Sequence, residues 1–269
     1  MSWMNSRRSG IREYKCDFIK EVSLRQVIVP GWSQEKLSQA RVLFAGAGGL
    51  NGEVIEGFVR KGGGEAHVCD HDTVSKSNLN RQKFYKRDLY KNKAIHLCKN
   101  MKNQGYLGTR LFAYPRSFQD LGIAQINPMI IVCGVDNQIE GTRSEVAQVA
   151  SQLEIPAIIY AVSTDASYGY VFVQEPGKAC WGCVFKPELT ASDTTRSNSS
   201  KTCAPSPACC DILKALAGHV LYALDSLLMD RKRDWNYRVI SLDRSEMLIS
   251  KHVSKREGCE LCHRAQLNR

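Results

Sequence analysis

The chain has 269 residues, 43% of them hydrophobic and 24% charged, with a formal net charge of +10. This balance excludes global disorder and suits one α/β domain of ordinary size. The apolar runs read as shorter than the ~20 residues of a membrane span, and the N-terminus MSWMNSRRSG has no apolar h-region, which argues against a membrane protein and a secretory signal.

Residues 1–20 are polar and basic and read as a flexible arm, and residues 21–269 read as a single domain without internal repeats. A helix is predicted over 33–40, starting at Ser33, then a short buried strand over 41–45. A glycine-rich turn, GAGGLNG, fills 46–52. The run EVIEGFVRK reads as a helix stopped by Gly62-Gly63-Gly64, and 65–69 is a second strand ending at Asp70. Another helix is predicted over 88–104 and a strand near 109–114. A buried strand over 129–135 and a helix over 139–153 follow. Strands over 157–162 and 168–174 are expected to pair antiparallel. The Ser/Thr-rich stretch 187–202 lacks periodicity and is expected to be mobile, as part of a loop over 187–206. Residues 207–231 show helical apolar spacing, and 236–242 and 246–253 look β-like.

Excess charge is concentrated at the ends. Residues 1–25 carry six Lys/Arg against three Asp/Glu, and 231–269 carry ten against five. A solvated basic surface accounts for this better than nucleic-acid binding, since no aromatic-interleaved RNA motif is present. The eleven cysteines, without a signal peptide, argue for a reducing compartment, and a cytoplasmic location is expected.

A strand that enters GAGGLNG and leaves as a helix builds an anion site, because glycines admit a phosphate and the helix start offers unpaired N–H groups. Asp70 lies 24 residues after Gly46, where a carboxylate can hold ribose hydroxyls. NAD, FAD, ATP and a mere packing turn all remain open on this pattern. Residues 81–102 then hold eight Lys/Arg against the single acid Asp88, cations that suit a triphosphate. Two CxxC pairs, Cys180/Cys183 and Cys259/Cys262, have the internal spacing of a closed tetrahedral zinc site, so a four-cysteine zinc staple over the tail 254–264 is expected. A redox role looks weaker, because neither pair is expected to open a helix after a strand. Cys203 stands at the end of the Ser/Thr-rich loop before a helix, a setting that can lower a thiol pKa and make it a nucleophile. Cys209 and Cys210 are rivals, though their positions suggest burial, and Cys16, Cys69, Cys98 and Cys133 read as core or surface residues.

The run DHDTVSKSNLNRQKFY resembles the signature of the ThiF/MoeB/ubiquitin-activating-enzyme superfamily, and the likeness extends from about residue 24 to 263. Leu24-Arg25-Gln26-Val27 with Gly31 and Gln34-Glu35-Lys36-Leu37 is similar to the family's N-terminal arm, and Asp136-Asn137 with Arg143 is similar to its Asp-Asn…Arg motif. The two CxxC pairs resemble its zinc ligands. The resemblance implies a Rossmann-like, mostly parallel sheet with helices on both faces and an antiparallel extension. It implies ATP, Mg2+ and Zn2+ as cofactors. Gly46, Gly48 and Gly49 would line the nucleotide and Asp70 would bind ribose. Asn78, Arg81 and Lys93 would hold the phosphates, and Asp136 the magnesium ion. Asp72 and Gln82 would lie near the nucleotide. Arg25 would reach the neighbouring subunit's site, which implies a homodimer.

Two departures stand out. Asn51 replaces the glycine or small residue that usually follows GxGGL, and its tolerance of left-handed backbone is expected to preserve the turn. Tyr90 replaces the glycine of the family's Asp-x-Gly-x-x-Lys, here Asp88 to Lys93, with Lys91 as a competing choice for the lysine. The implied reaction is adenylation of the C-terminal glycine of a ubiquitin-like protein followed by a thioester on Cys203, with a conjugating enzyme downstream. The alternative is activation of a sulfur-carrier protein for thiamine or molybdopterin synthesis, with a separate sulfur donor. An inactive scaffolding partner ranks lower because Arg81, Lys93 and Asp136 are all present, and the tRNA-modifying branch lower again because it typically lacks the paired cysteines. The large cysteine domain and ubiquitin-fold domain of the big eukaryotic activating enzymes are not found, so a minimal stand-alone form is expected.

Overall fold

The computed structural model describes residues 19–135, 141–185, 207–243 and 248–262. Residues 19–27 form helix α1, and α2 (Gln34–Gln39) is capped by the Ser33 side chain, which accepts from Lys36 N at 3.2 Å. Then follow β1 (Arg41–Ala45), α3 (Gly49–Arg60), β2 (Glu65–Cys69), α4 (Lys93–Lys102) and β3 (Arg110–Tyr114). Two 3-10 turns, Lys76–Asn78 and Lys86–Asp88, fill the stretch before α4, so the helix expected from residue 88 begins later. The one-turn helix α5 (Ile123–Ile126) leads to β4 (Ile130–Cys133), α6 (Thr142–Gln152), β5 (Ala157–Val162) and β6 (Tyr168–Gln174). After a second one-turn helix, α7 (Trp181–Val184), come α8 (Cys210–Met229), β7 (Tyr237–Ser241) and β8 (Leu248–Lys251).

The strands form one sheet in the order β3-β2-β1-β4-β5-β6-β7-β8. The first five are parallel, and β6, β7 and β8 extend them antiparallel, as expected for the β5–β6 pair. β1 is buried on both sides, and its alternate residues enter different cores. Val42 and Phe44 pack with α2, α3, α4 and α8, and Leu43 and Ala45 pack with α5, α6 and Trp181 of α7. This two-faced burial is why β1 and β4 read as apolar runs without alternation.

One expectation needs correction. α8, at 20 residues, is long and apolar enough to cross a membrane by length and composition. Most of it is buried, however, and it packs on α3 and the sheet, as the core helix of a folded domain does.

Candidate functional site

The strand order reverses at β1: β2 and β3 lie on one side of it, β4 and β5 on the other. At such a switch point the loops beyond the carboxyl ends of the strands diverge and leave a crevice. Here the crevice has a volume of about 430 Å³ and is lined by Gly46, Gly48, Gly49, Asp70, Asp72, Arg81, Gln82 and Lys93, together with Gln119, Arg143 and the start of α8.

The turn after β1 is braced from within. Gly46 has φ 95°, a left-handed conformation that favours glycine, and its N–H donates to Cys69 O at 2.8 Å. Ala47 N donates to Asp70 Oδ2 at 2.7 Å and Asp72 N to Asp70 Oδ1 at 2.8 Å, so Asp70 ties the turn to the end of β2. Burial raises the Asp70 pKa, and the Ala47 N–H and the Lys93 charge only partly offset it. Each carboxylate oxygen keeps a further lone pair for a ligand hydroxyl. α3 starts at Gly49, so its first amides point into the crevice end without intrahelical partners.

Lys93 opens α4, with Nζ 2.8 Å from Asp72 Oδ2 and its side chain 12% exposed. Arg81 curls back, donating to Ser77 O at 2.5 Å and Asn80 Oδ1 at 3.2 Å. Gln82 Oε1 is buried without a hydrogen-bond partner. Arg143 donates to Val135 O at 2.8 Å and to the Tyr170 hydroxyl at 3.2 Å.

Two candidates stand elsewhere. Asn78 is buried and its Oδ1 accepts from Ser75 N at 2.9 Å, so it shapes the 3-10 turn and is not among the crevice residues. Arg25 lies on α1, exposed and outside the crevice lining. Asp136 and Cys203, with the loop 187–206, lie outside the described residues; Pro207 and Ala208, which follow the loop, border the crevice. Cys209 and Cys210 are exposed at the start of α8, contrary to their expected burial, because the apolar stripe of that helix begins only at Ile212. Cys69, Cys98 and Cys133 are core thiols, pushed up by burial to about 12, 12 and 11.

Asn92 was not singled out by the sequence. It caps α4 through Oδ1, accepting from Ile95 N at 3.0 Å, and its Nδ2 donates to Asp70 O at 2.8 Å. One side chain thus joins the helix bearing Lys93 to the strand bearing Asp70. A helix start at 93 would have exposed the cap signal.

Nearby, Asp88 is 1% exposed and accepts from Asn100 Nδ2 at 2.8 Å and Tyr85 N at 2.9 Å, with His96 Nδ1 2.9 Å from its Oδ1. Burial pushes its pKa up, but the bonds from Asn100, Tyr85 and His96 outweigh it and hold the carboxyl below its ordinary 3.8. A depressed folded-state value contributes stability above pH 3.8 that is lost as pH falls through that value. Asp88→Asn is expected to cost about 1–3 kcal/mol at neutral pH and to flatten the acid limb below about pH 3.8 in urea titrations. An equally steep acid limb would remove Asp88 from this role.

Tyr90 holds φ 64° and is 72% exposed. Its N–H donates to Val74 O at 2.8 Å, so the turn demands left-handed backbone where the family pattern has glycine. That conformation costs a bulky residue about 1–2 kcal/mol, against roughly 0.4–1 kcal/mol of unfolded-state entropy that glycine brings. Tyr90→Gly is therefore expected to stabilise by roughly 0.5–1 kcal/mol, read as a rise in Tm of about 1–4 °C.

The four CxxC thiols meet beside α7. Sγ–Sγ distances are 3.8 Å for Cys180–Cys183, 3.6 Å for Cys180–Cys259, 3.5 Å for Cys183–Cys262 and 3.2 Å for Cys180–Cys262, and Arg256 N donates to Cys183 Sγ at 3.3 Å. All four atoms lie within 4.8 Å of one another. A tetrahedron with Zn–S of about 2.3 Å needs edges of about 3.8 Å, so this donor set fits zinc after small outward shifts. Both pairs, contrary to expectation, open a helical turn after a strand: Cys180 precedes α7 after β6, and Cys259 precedes helical residues 260–262 after β8. What disfavours redox chemistry is the convergence of two distant pairs on one point.

The family model described as ThiF family matches residues 20–261. The chain is 23% identical over 247 residues to an ATP-dependent ubiquitin transferase-like protein, Cap2, of Escherichia coli strain TW11681, covering 85% of this chain and 41% of that protein. It is 30% identical over 190 residues to a ubiquitin-activating enzyme E1-like protein of Saccharomyces cerevisiae, covering 68% and 29%. It is also 27% identical over 186 residues to an adenylyltransferase and sulfurtransferase, MOCS3, of Caenorhabditis briggsae, covering 67% and 46%. The chain thus spans less than half the length of these curated relatives. Among solved structures, E. coli MccB with succinimide superposes with a TM-score of 0.71 at 18% identity, over 85% of this chain and 68% of that one, a likeness of fold. The family match spans nearly the whole chain, and with it the turn, the crevice and Cys180, Cys183 and Cys259 of the thiol cluster: the chain belongs to the ThiF family.

Proposed function

We propose that the chain adenylates the C-terminal glycine of a ubiquitin-like protein with ATP. The observation that carries this reading is the convergence of the glycine turn, Asp70, Lys93 and Arg81 on one crevice at the strand switch point. The carboxylate oxygen attacks the α-phosphorus of ATP, the bond to pyrophosphate breaks, and an acyl-adenylate results. Two anions must approach, so the step needs fixed positive charge and alignment more than covalent help from the protein. Lys93 and Arg81 would supply the charge, the amides at the start of α3 would cradle phosphate, and Asp70 would orient the ribose. Asp136 would hold Mg2+, which adds charge neutralisation. In a second step the Cys203 thiolate attacks the acyl carbon and AMP leaves, giving a thioester. A Zn2+ ion held by the four clustered thiolates would fasten the tail, Arg25 would complete the site of the second subunit of a homodimer, and the setting would be cytoplasmic.

Sulfur-carrier activation shares the first step, and the similarity to MOCS3 keeps it as the second reading. The experiment is ATP–pyrophosphate exchange stimulated by a small protein ending in glycine. No exchange with any such protein, at full ATP occupancy, would refute the adenylation reading. Cys203→Ala is expected to preserve exchange while removing a reductant-sensitive conjugate. A conjugate that persists would point to Cys209 or Cys210, and a wild type that forms none would favour sulfur transfer.

A further inference from the structure

A Gly-x-Gly-x-x-Gly turn uses its third glycine to let the helix pack close to the strand. In this chain that position is Asn51. It was expected to act through left-handed backbone, but it is the third residue of α3, helical and completely buried. A buried amide without partners costs several kilocalories, so its bonds must be accounted for. Nδ2 donates to Ala45 O at 2.6 Å and to Gly46 O at 2.8 Å, and Oδ1 accepts from the Tyr160 hydroxyl at 2.6 Å. Tyr160, on β5, is itself fully buried. Carbonyls only accept, so Nδ2 must face Ala45 O and Gly46 O, and the Tyr160 hydroxyl then donates to Oδ1; together these bonds fix one orientation of the Asn51 amide, with NH2 toward the end of β1. Space for the arrangement comes from the residue after β4: a Cβ at Gly134 would lie 2.7 Å from Asn51 Oδ1 and 2.9 Å from the Tyr160 oxygen.

We propose that Asn51 is a positioning residue for the nucleotide: oriented by Tyr160 and admitted by Gly134, it clamps the carbonyls of Ala45 and Gly46 and so presets the turn that receives ATP. The inference rests on the adenylation reading for the identity of the ligand. Three residues, from α3, β5 and the end of β4, here replace one glycine. The clamp also uses the Gly46 carbonyl from one side while Gly46 N–H is held by Cys69 O and Ala47 N–H by Asp70. The Gly46 amide and carbonyl and the Ala47 amide are therefore committed before any ligand arrives, and the amides of Gly49 and Leu50 are left to serve an anion.

The test uses full-length wild type, Tyr160→Phe, Asn51→Gly and the double variant. ATP affinity is read by calorimetry, and turn rigidity by amide hydrogen exchange of residues 45–52. Tyr160→Phe removes one hydroxyl and Asn51→Gly restores the usual residue, so at least one should fold. Each single variant is expected to weaken ATP binding about 5–10-fold and to speed exchange in the turn at least tenfold, with kcat at saturating ATP within twofold. The double variant is expected to be no worse than the weaker single, because both break the same clamp. Effects that multiply in the double variant, or single variants with unchanged ATP affinity, would overturn the proposal. So would loss of kcat without loss of ATP affinity, the pattern of general damage. A wild type that binds no ATP would sink the adenylation reading, and this one with it; wild-type binding with indifferent variants sinks the clamp alone.

Discussion

Lys93→Ala is expected to slow ATP–pyrophosphate exchange about 10²–10³-fold, the scale for losing one preorganised charge at a reacting centre. Lys93 occupies the first turn of α4, which contains no acidic residue. A cation there opposes the helix dipole, so its placement is unfavourable for the helix alone and needs another reason. Asp72, 2.8 Å away, holds the ammonium in place, and the pair faces the crevice. Asp72 is 52% exposed, so losing its partner leaves a solvated carboxylate at a cost of under about 1 kcal/mol. The variant should therefore melt within about 3 °C of wild type while exchange collapses. Lys93→Arg should recover only part of the rate, because a planar fork does not replace a compact point charge. Exchange within threefold of wild type would mean that Lys93 serves only to fix Asp72.

The second large effect belongs to the cysteines. Cys259→Ser should remove copurifying zinc, measured by elemental analysis, and lower stability by about 4 kcal/mol or more, roughly 10 °C in Tm. β8 is exposed along its whole length and, among the described residues, pairs with β7 alone, so apolar contact holds the tail mainly through the partly buried Val253 and Leu261. Its polar anchors include Asn236, which donates to Val253 O at 2.8 Å and accepts from Val253 N at 2.7 Å, Arg256, which donates to Gly182 O at 3.0 Å, and the thiol cluster against α7. Strong chelators should reproduce the loss in wild type and leave Cys259→Ser unchanged. Wild-type protein purified without zinc and equally stable would withdraw the metal from the account.

Much of the fold was legible because β1, β4 and β5 are short, largely apolar runs buried on both faces, and each is flanked by a glycine or proline. The start of α3 was not. Gly49, Asn51 and Gly52 are poor helix formers, and only tertiary contacts make them helical. The crevice residues were legible as motifs, since the turn, the 70–72 carboxylates and the 81–93 cations are local in sequence. Asn92, Gln119 and Tyr160 were invisible for the opposite reason. Their partners, Asp70, Thr142 and Asn51, lie many residues away, and no local spacing announces such a bond. Asn78 shows how a motif residue can serve the turn that carries the motif: its Oδ1 accepts from Ser75 N and shapes the 3-10 turn.

The sheet order also dictates an assembly sequence. β1 to β5 are joined by crossover connections within the first 162 residues and can form as soon as residue 162 is available. β6 then waits: its outer neighbour β7 arrives only after α7, the Ser/Thr-rich stretch and all of α8. Long-range pairings of this kind are the slow ones. During that interval β6 presents a bare edge, and the crevice lacks the wall contributed by Pro207, Ala208 and Leu213. Kinetic trapping and self-association during synthesis should therefore trace to late docking of α8, and variants that weaken its contacts should show it first as lost yield of folded protein.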